Sequence, residues 1–235
     1  MPTGFTYASF QAAIVTQIPT LVNDPNFTTI LPAAIDYAEL SIYRDVDFLA
    51  THGNIALGNA TIGTATLAIP AGVVVLESLF YGANNAPVTP ASQDFIRTVY
   101  AGSANGPPEV FAPVGAASGI NWTPAMQVLL APAPDSAYAI TGYGTQREAP
   151  LSAAHTSTFI SANLPDLFWA ASMIFLAGYN RNFGAQSDDP RQALSWEAEY
   201  QRLLKGAEIE EARKKFQSQA WGPQQPAPAA TPART

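Results

Sequence analysis

The chain has no cysteine, so neither disulfides nor thiolate metal ligands hold it together. That fits a reducing compartment. No apolar run reaches the ~20 residues of a membrane-spanning helix, and no membrane partner is expected. The first ten residues, MPTGFTYASF, lack the basic and apolar regions of a signal peptide. Charge is scarce too: 12% of residues carry it, and the net balance is −7. An acidic chain has no general affinity for nucleic acid, which argues against a DNA-binding surface. What is plentiful is glycine (16) and proline (20) among 235 residues. So little charge fits a surface partly covered by a partner. It fits a Gly- and Pro-rich β region equally well.

The length suffices for one large domain or two small ones with a substantial core. The strongest pattern in the chain is Phe27 to Leu49. Phe27, Ile30, Leu31, Ala34, Ile35, Ala38, Ile42, Val46 and Leu49 recur at three- and four-residue steps, the period of a helix with one apolar face. Asp36, Glu39, Arg44, Asp45 and Asp47 take the remaining surface. Pro32 belongs in a first turn, which predicts a regular helix starting near Leu31. Such a stripe needs other helices to cover it. The other long helical segments lie near the C-terminus, so the two ends of the chain are expected to pack together around an insertion.

Thr6 to Ile18 reads as a first helix capped by Thr6, with Tyr7, Phe10, Ile14 and Ile18 on one face. After Leu49 the period changes. Ile55–Leu57, Ala65–Ile69 and Val73–Tyr81 read as strands. Ala91–Tyr100 reads as a short helix with Phe95 and Val99 inward, and Gly102–Asn121 as a loop. Met126–Leu130 and Ala137–Gly144 read as a hairpin around Pro132–Ser136. Helical period returns with Leu164, Leu167, Phe168, Ala171, Ile174, Phe175, Gly178 and Tyr179. A last helix is expected after Asp188-Asp189 and Pro190, with a narrow stripe of Ala193, Trp196, Tyr200, Leu203 and Ala207. Glu210/Lys214 and Glu211/Lys215 stand at i,i+4 in the favourable order. Beyond Phe216, Trp221 precedes a Pro-rich tail that cannot fold by itself.

Candidate chemistry is sparse. Ser152 and His155 lie close, but no G-x-S-x-G elbow accompanies them, and a Ser-rich turn before a helix explains both. Asp188-Asp189 lacks a second acidic pair at a metal-binding spacing, and helix capping accounts for it. Gly142-Tyr143-Gly144 lacks the rest of a dinucleotide fingerprint. Three Asn-x-Thr triplets, beginning at Asn26, Asn59 and Asn121, mean nothing without a secretion signal. Trp122 with Tyr81 could stack on a sugar, which keeps a carbohydrate-binding module as an alternative of another class. No catalytic residue, cofactor or metal is assigned.

The order of elements carries a resemblance. Its residues are Asp24-Pro25-Asn26-Phe27, Leu31-Pro32, Ile35, Ala38-Glu39 and Ile42-Tyr43-Arg44-Asp45, then the apolar strand after Ile69-Pro70. They continue through Leu130, Pro132, Pro134-Asp135, Tyr138 and Tyr143, then Leu151-Ser152, Leu164-Pro165-Asp166-Leu167, Trp196-Glu197 and Tyr200. No single motif is specific; the ordered set, from Thr6 to about Phe216, resembles the head-to-tail adaptor proteins of short-tailed bacteriophages of the SU10-like kind. The resemblance implies a dodecameric ring attached beneath the portal protein. Such a ring would extend the DNA channel, help retain the genome and present a platform for tail or nozzle proteins. It implies a virion protein of the neck, with no catalytic residue and no cofactor. An acidic wall suits that role, because double-stranded DNA can pass without sticking.

The expected fold is α+β. A helical bundle comes from residues 1–50 and 156–207, with Ile35, Ala38, Ile42, Leu167 and Phe175 in its core. A mainly antiparallel β-rich domain is inserted at 51–155. Residues 208–235 make the end of the last helix and an extended arm. Lys214, Lys215, Phe216 and Trp221 are the expected portal-docking residues, with Trp221 as anchor. Another neck or tail component, a head-closure or tail-tube protein, is the alternative in the same class.

Overall fold

The computed structural model describes residues 4–18, 24–115, 126–180 and 190–219. Its architecture is α+β, with helices from both ends of the chain and an inserted, curled β-sheet.

Helix α1 (Tyr7–Gln17) opens on a reciprocal cap: the Thr6 hydroxyl accepts from the Ser9 N–H, and the Ser9 hydroxyl accepts from the Thr6 N–H. Helix α2 spans Phe27–Asp45. It starts four residues before the expected Leu31, so Pro32 lies inside the helix and not in its first turn. Proline leaves the Thr28 carbonyl without its helical donor, but Thr28 and Pro32 are both exposed and water can supply one. The helix also stops short of Leu49. Val46 turns extended, and Leu49–Thr51 forms a separate 3₁₀ turn.

After the insertion come α4 (Phe159–Asn163), α5 (Pro165–Asn180) and α6 (Pro190–Gln219), numbered with the α3 described below. One core gathers Phe10 and Ile14 of α1, Leu31, Ile35, Ala38 and Ile42 of α2, Leu167 and Phe168 of α5, and Tyr200 and Leu204 of α6. Phe175 packs at its rim, half-buried, with its ring 5.5 Å from that of Tyr37. Asp188 and Asp189 lie outside the described residues.

The insertion is a seven-stranded sheet in the order β1-β7-β3-β4-β5-β6-β2. The strands are β1 (His52–Asn59), β2 (Thr66–Ala68), β3 (Val73–Tyr81), β4 (Ala86–Pro90), β5 (Val110–Gly115), β6 (Met126–Ala131) and β7 (Ala139–Gln146). All neighbours are antiparallel except β4 and β5. Strand β4 is the joint, pairing through 86–88 with β3 and through 89–90 with β5. The sheet curls there, so that Ile55, Leu79 and Ile140 from one half share a core with Phe111, Val128 and Leu130 from the other.

Three expectations for this region fail. Met126–Ala131 and Ala139–Gln146 are not a hairpin: β6 pairs with β5 and β2, and β7 with β1 and β3. The segment expected as a loop from 102 to 121 contains β5. The short helix α3 (Gln93–Val99), capped by Ser92, turns Ile96 inward and leaves Phe95 and Val99 exposed. Ile96 covers the outer face of the sheet against Ala112 and Ala131.

The Gly142-Tyr143-Gly144 run sits in β7, with the register of β3 shifting beside it. A Cβ on Gly142 would strike Leu76 Cδ1, and one on Gly144 would strike the Val75 carbonyl oxygen. These glycines serve close strand approach and not a nucleotide.

Candidate docking face

Helix α6 carries 30 residues, and its two sides differ. Tyr200, Leu204, Ala207 and Glu211 are buried against the bundle at helical spacing. Leu194, Ile209 and Phe216 on the far side are large, apolar and 55–72% exposed. At 100° per residue these three fall within about 60° of arc. The exposed Lys205 falls in the same arc and the exposed Gln201 beside it, so Leu194, Ile209 and Phe216 stand as separate apolar points on a mixed side that a partner can cover.

Polar contacts fix the buried side. The Tyr200 hydroxyl donates to Asp45 Oδ2 at 2.6 Å. Burial first, and the Asp45 carboxylate second, push that phenol well above its ordinary range. Glu211 is buried and accepts from the Leu49 backbone N–H at 3.0 Å. Lys215 pairs with Asp47, and hydrogen bonding from Lys215 is the main reason the Asp47 carboxyl is held below its usual range. Lys214 pairs with Glu210 at 2.8 Å and Glu211 at 2.7 Å, which raises its pKa. The expected Glu210/Lys214 pair forms, whereas in place of the expected Glu211/Lys215 pair Glu211 meets Lys214 and Lys215 meets Asp47. The helix runs unbroken through residue 208, and up to Lys215 it is tied to the turn that leads from α2 into β1.

The structure also places the residues weighed for chemistry in the sequence. Ser152 and His155 meet in a turn: the Ser152 N–H donates to the His155 carbonyl at 2.8 Å, the Ser152 hydroxyl accepts the His155 backbone N–H at 3.1 Å, and the buried His155 Nδ1 has no hydrogen-bond partner among the described residues. His52 lies 3.0 Å from Asp47 and 3.5 Å from Glu77, at the seam between helices and sheet. Tyr81 packs edge-on against Tyr138 at 5.2 Å, while Trp122 lies outside the described residues. Among the described residues no cluster of His, Asp and Glu could hold a metal ion, and no helix is long and apolar enough to cross a membrane.

A family model described as SU10 adaptor protein matches residues 5–227. The chain belongs to that family. It is therefore a phage structural protein with an adaptor, or connector, role. No curated protein matches it.

The adaptor's expected docking residues separate in the structure. Phe216 is 72% exposed at the end of α6. Lys214 and Lys215 are held by carboxylates of the same subunit. Trp221 lies outside the described residues. The expected core residues Ile35, Ala38, Ile42 and Leu167 are buried in one cluster.

Sequence reasoning missed Glu39, which it placed on the solvated surface. The carboxyl is buried in α2, accepting from the Thr158 hydroxyl at 2.9 Å and the Leu151 N–H at 3.3 Å. A signal was present: Glu39 stands four residues after Ile35 and three before Ile42, inside the apolar stripe. Sequence reasoning also placed Asp47 on the surface and paired Glu211 with Lys215, and nothing marked their contacts to Lys215 and Leu49, 168 and 162 positions away.

Proposed function

We propose that copies of this adaptor assemble into a dodecameric ring beneath the portal protein. The ring extends the DNA channel and offers a platform to tail or nozzle proteins in the virion neck. The observation that carries this reading is the family match over residues 5–227. The exposed Leu194, Ile209 and Phe216 of α6 support it, because a ring subunit needs apolar surface beyond its own core. Net charge −7 suits a channel through which double-stranded DNA slides without binding. Phe216, Trp221 and the neighbouring Lys214 and Lys215 form the portal-facing end, with the aromatic side chains as anchors.

The test is reconstitution with the portal of the same phage. Native mass measurement should give one portal ring carrying twelve copies of this chain, and imaging should place the added density at the tail-facing end. A portal that retains no adaptor at micromolar concentration sinks the reading.

A further inference from the structure

A groove of about 710 Å³ opens between α1, α5 and α6. Its apolar walls are Phe5, Trp169, Trp196 and Leu203, all only half-buried. Phe5 and Trp169 stack with centroids 5.6 Å apart and form one aromatic wall. Asp166 and Glu199 stand on the rim, with Arg202 paired to Glu199 at 2.9 Å, so the rim is net acidic. Aromatic-lined grooves of this kind suit proline-rich segments. Proline rings lie flat on indole faces, and their restricted φ angles reduce the entropy lost on binding.

The same chain supplies such a segment. Residues 220–235 contain four prolines, at 223, 226, 228 and 232, no acidic residue and one cation, Arg234. We propose that the end of this segment, centred on Pro232 and Arg234, docks in the groove of its own subunit.

The reach agrees. From Gln219 back to Leu203 and to Trp196 is about 24 and 35 Å of helix at 1.5 Å per residue. Gly222 can reverse the chain. Counted from Pro223 at about 3.1 Å per residue, residues 230–234 fall about 22–34 Å back along α6, which is the span of the groove. Pro232 then falls level with Glu199, one turn from Trp196, and Arg234 can turn its long side chain back towards the acidic rim. Pro223, Pro226 and Pro228 act as a stiff spacer. A tethered segment also meets the groove at an effective concentration that a free peptide rarely matches.

The chain has no cysteine, so Ala233→Cys gives a single attachment point for a nitroxide. The full chain is enriched with ¹⁵N at the tryptophan indoles. The label should take away more than half the intensity of the Trp169 and Trp196 signals, and reduction of the nitroxide should restore it. Adding Pro232→Gly and Arg234→Glu to the labelled chain should weaken the loss at least twofold. Labelled, unenriched protein mixed with enriched, cysteine-free protein should give no loss. Equal loss in that mixture assigns the groove to the tail of a second copy and overturns the proposal. Unchanged intensities at both indoles overturn it as well. The assay contains no portal, so either outcome leaves the adaptor role standing.

Discussion

Thr158 donates its hydroxyl proton to Glu39 Oε1 at 2.9 Å, across 119 positions of sequence. The other carboxyl oxygen accepts the Leu151 N–H. Both partners belong to the segment that brings the chain back from the sheet, so Glu39 fastens that return to α2. Hydrogen bonding favours the carboxylate, but burial outweighs it and pushes the pKa up to about 7.

This gives a pH dependence with a definite sign. The unfolded carboxyl titrates near 4.5, and the folded one near 7. Between these values the native state holds a proton that the unfolded state releases, so stability falls as pH rises. The contribution is full below about 4.5, declines through the interval, and is lost above about 7. The change is on the order of 3 kcal/mol. Urea titrations from pH 5 to 8 should show this decline in the native chain and a flatter profile in Glu39→Gln. Parallel profiles would remove Glu39 as the cause.

The bundle core separates two residues that the helical period grouped together. Ile35 is fully buried between α2 and its neighbours, whereas Phe175 lies at the rim against Tyr37. Ile35→Ala should cost roughly 2–5 kcal/mol, the range for a packed core. Phe175→Ala removes more atoms, yet water can reach the space it leaves, so it should fall at or below the low end. Equal losses in denaturant midpoint, at unchanged m, would contradict this ranking.

Helices were legible where one period ran long enough. The stripes of α2, α5 and α6 repeat over several turns, and no local signal competes except Pro32. Strand β3 was legible through Val73-Val74-Val75-Leu76. Strand β4 was not, because Pro87 and Pro90 punctuate it and part of its pairing is with β5, some twenty positions on. Nor was β5 legible, lying within glycine and proline. The hairpin misreading has a related cause: Pro132–Ser136 has turn chemistry, but a turn does not show whether the strands it joins will pair. Here they enter opposite halves of a curled sheet. The contacts that hold the end of α6 were invisible for a simpler reason, since a carboxylate's distant partner leaves no periodic trace.

Tyr200 and Asp45 test how firmly α6 is clamped to α2. The phenol is buried, while Asp45 remains exposed and can be rehydrated. Tyr200→Phe should therefore cost about 1–2 kcal/mol, below the penalty for an orphaned buried charge. A double-mutant cycle with Asp45→Ala should recover most of that as coupling. Strict additivity of the two changes would show that the 2.6 Å contact contributes little.

Assembly should wait for its template. A ring that closed before the portal was filled would be a dead end, so the free chain is expected to sediment as a monomer or a weak oligomer at micromolar concentration. Addition of portal should drive it into the complex. A closed ring in the absence of portal would rule out templating while leaving the adaptor role intact.

The last prediction concerns attachment. At the end of α6, Lys214 and Lys215 are engaged by Glu210, Glu211 and Asp47 of their own subunit, whereas Phe216 is 72% exposed. Charges already paired at a surface have little left to give a partner, and exposed pairs are worth about 0–1 kcal/mol in any case. Aromatic anchors that become desolvated at an interface contribute more, about 2 kcal/mol or above at a hot spot. The portal-docking set should therefore split. Phe216→Ala and Trp221→Ala should each weaken portal binding by about tenfold or more, while Lys214→Gln should change it by less than about threefold. Lys215→Gln also loosens Asp47, so it should lower the stability of the free subunit slightly before it affects binding. The thermal transition of Phe216→Ala should match that of the native chain, because its side chain is exposed and outside the core. Calorimetry against purified portal would read all four variants. A set in which the lysine changes dominate would transfer the docking role from aromatic burial to charge.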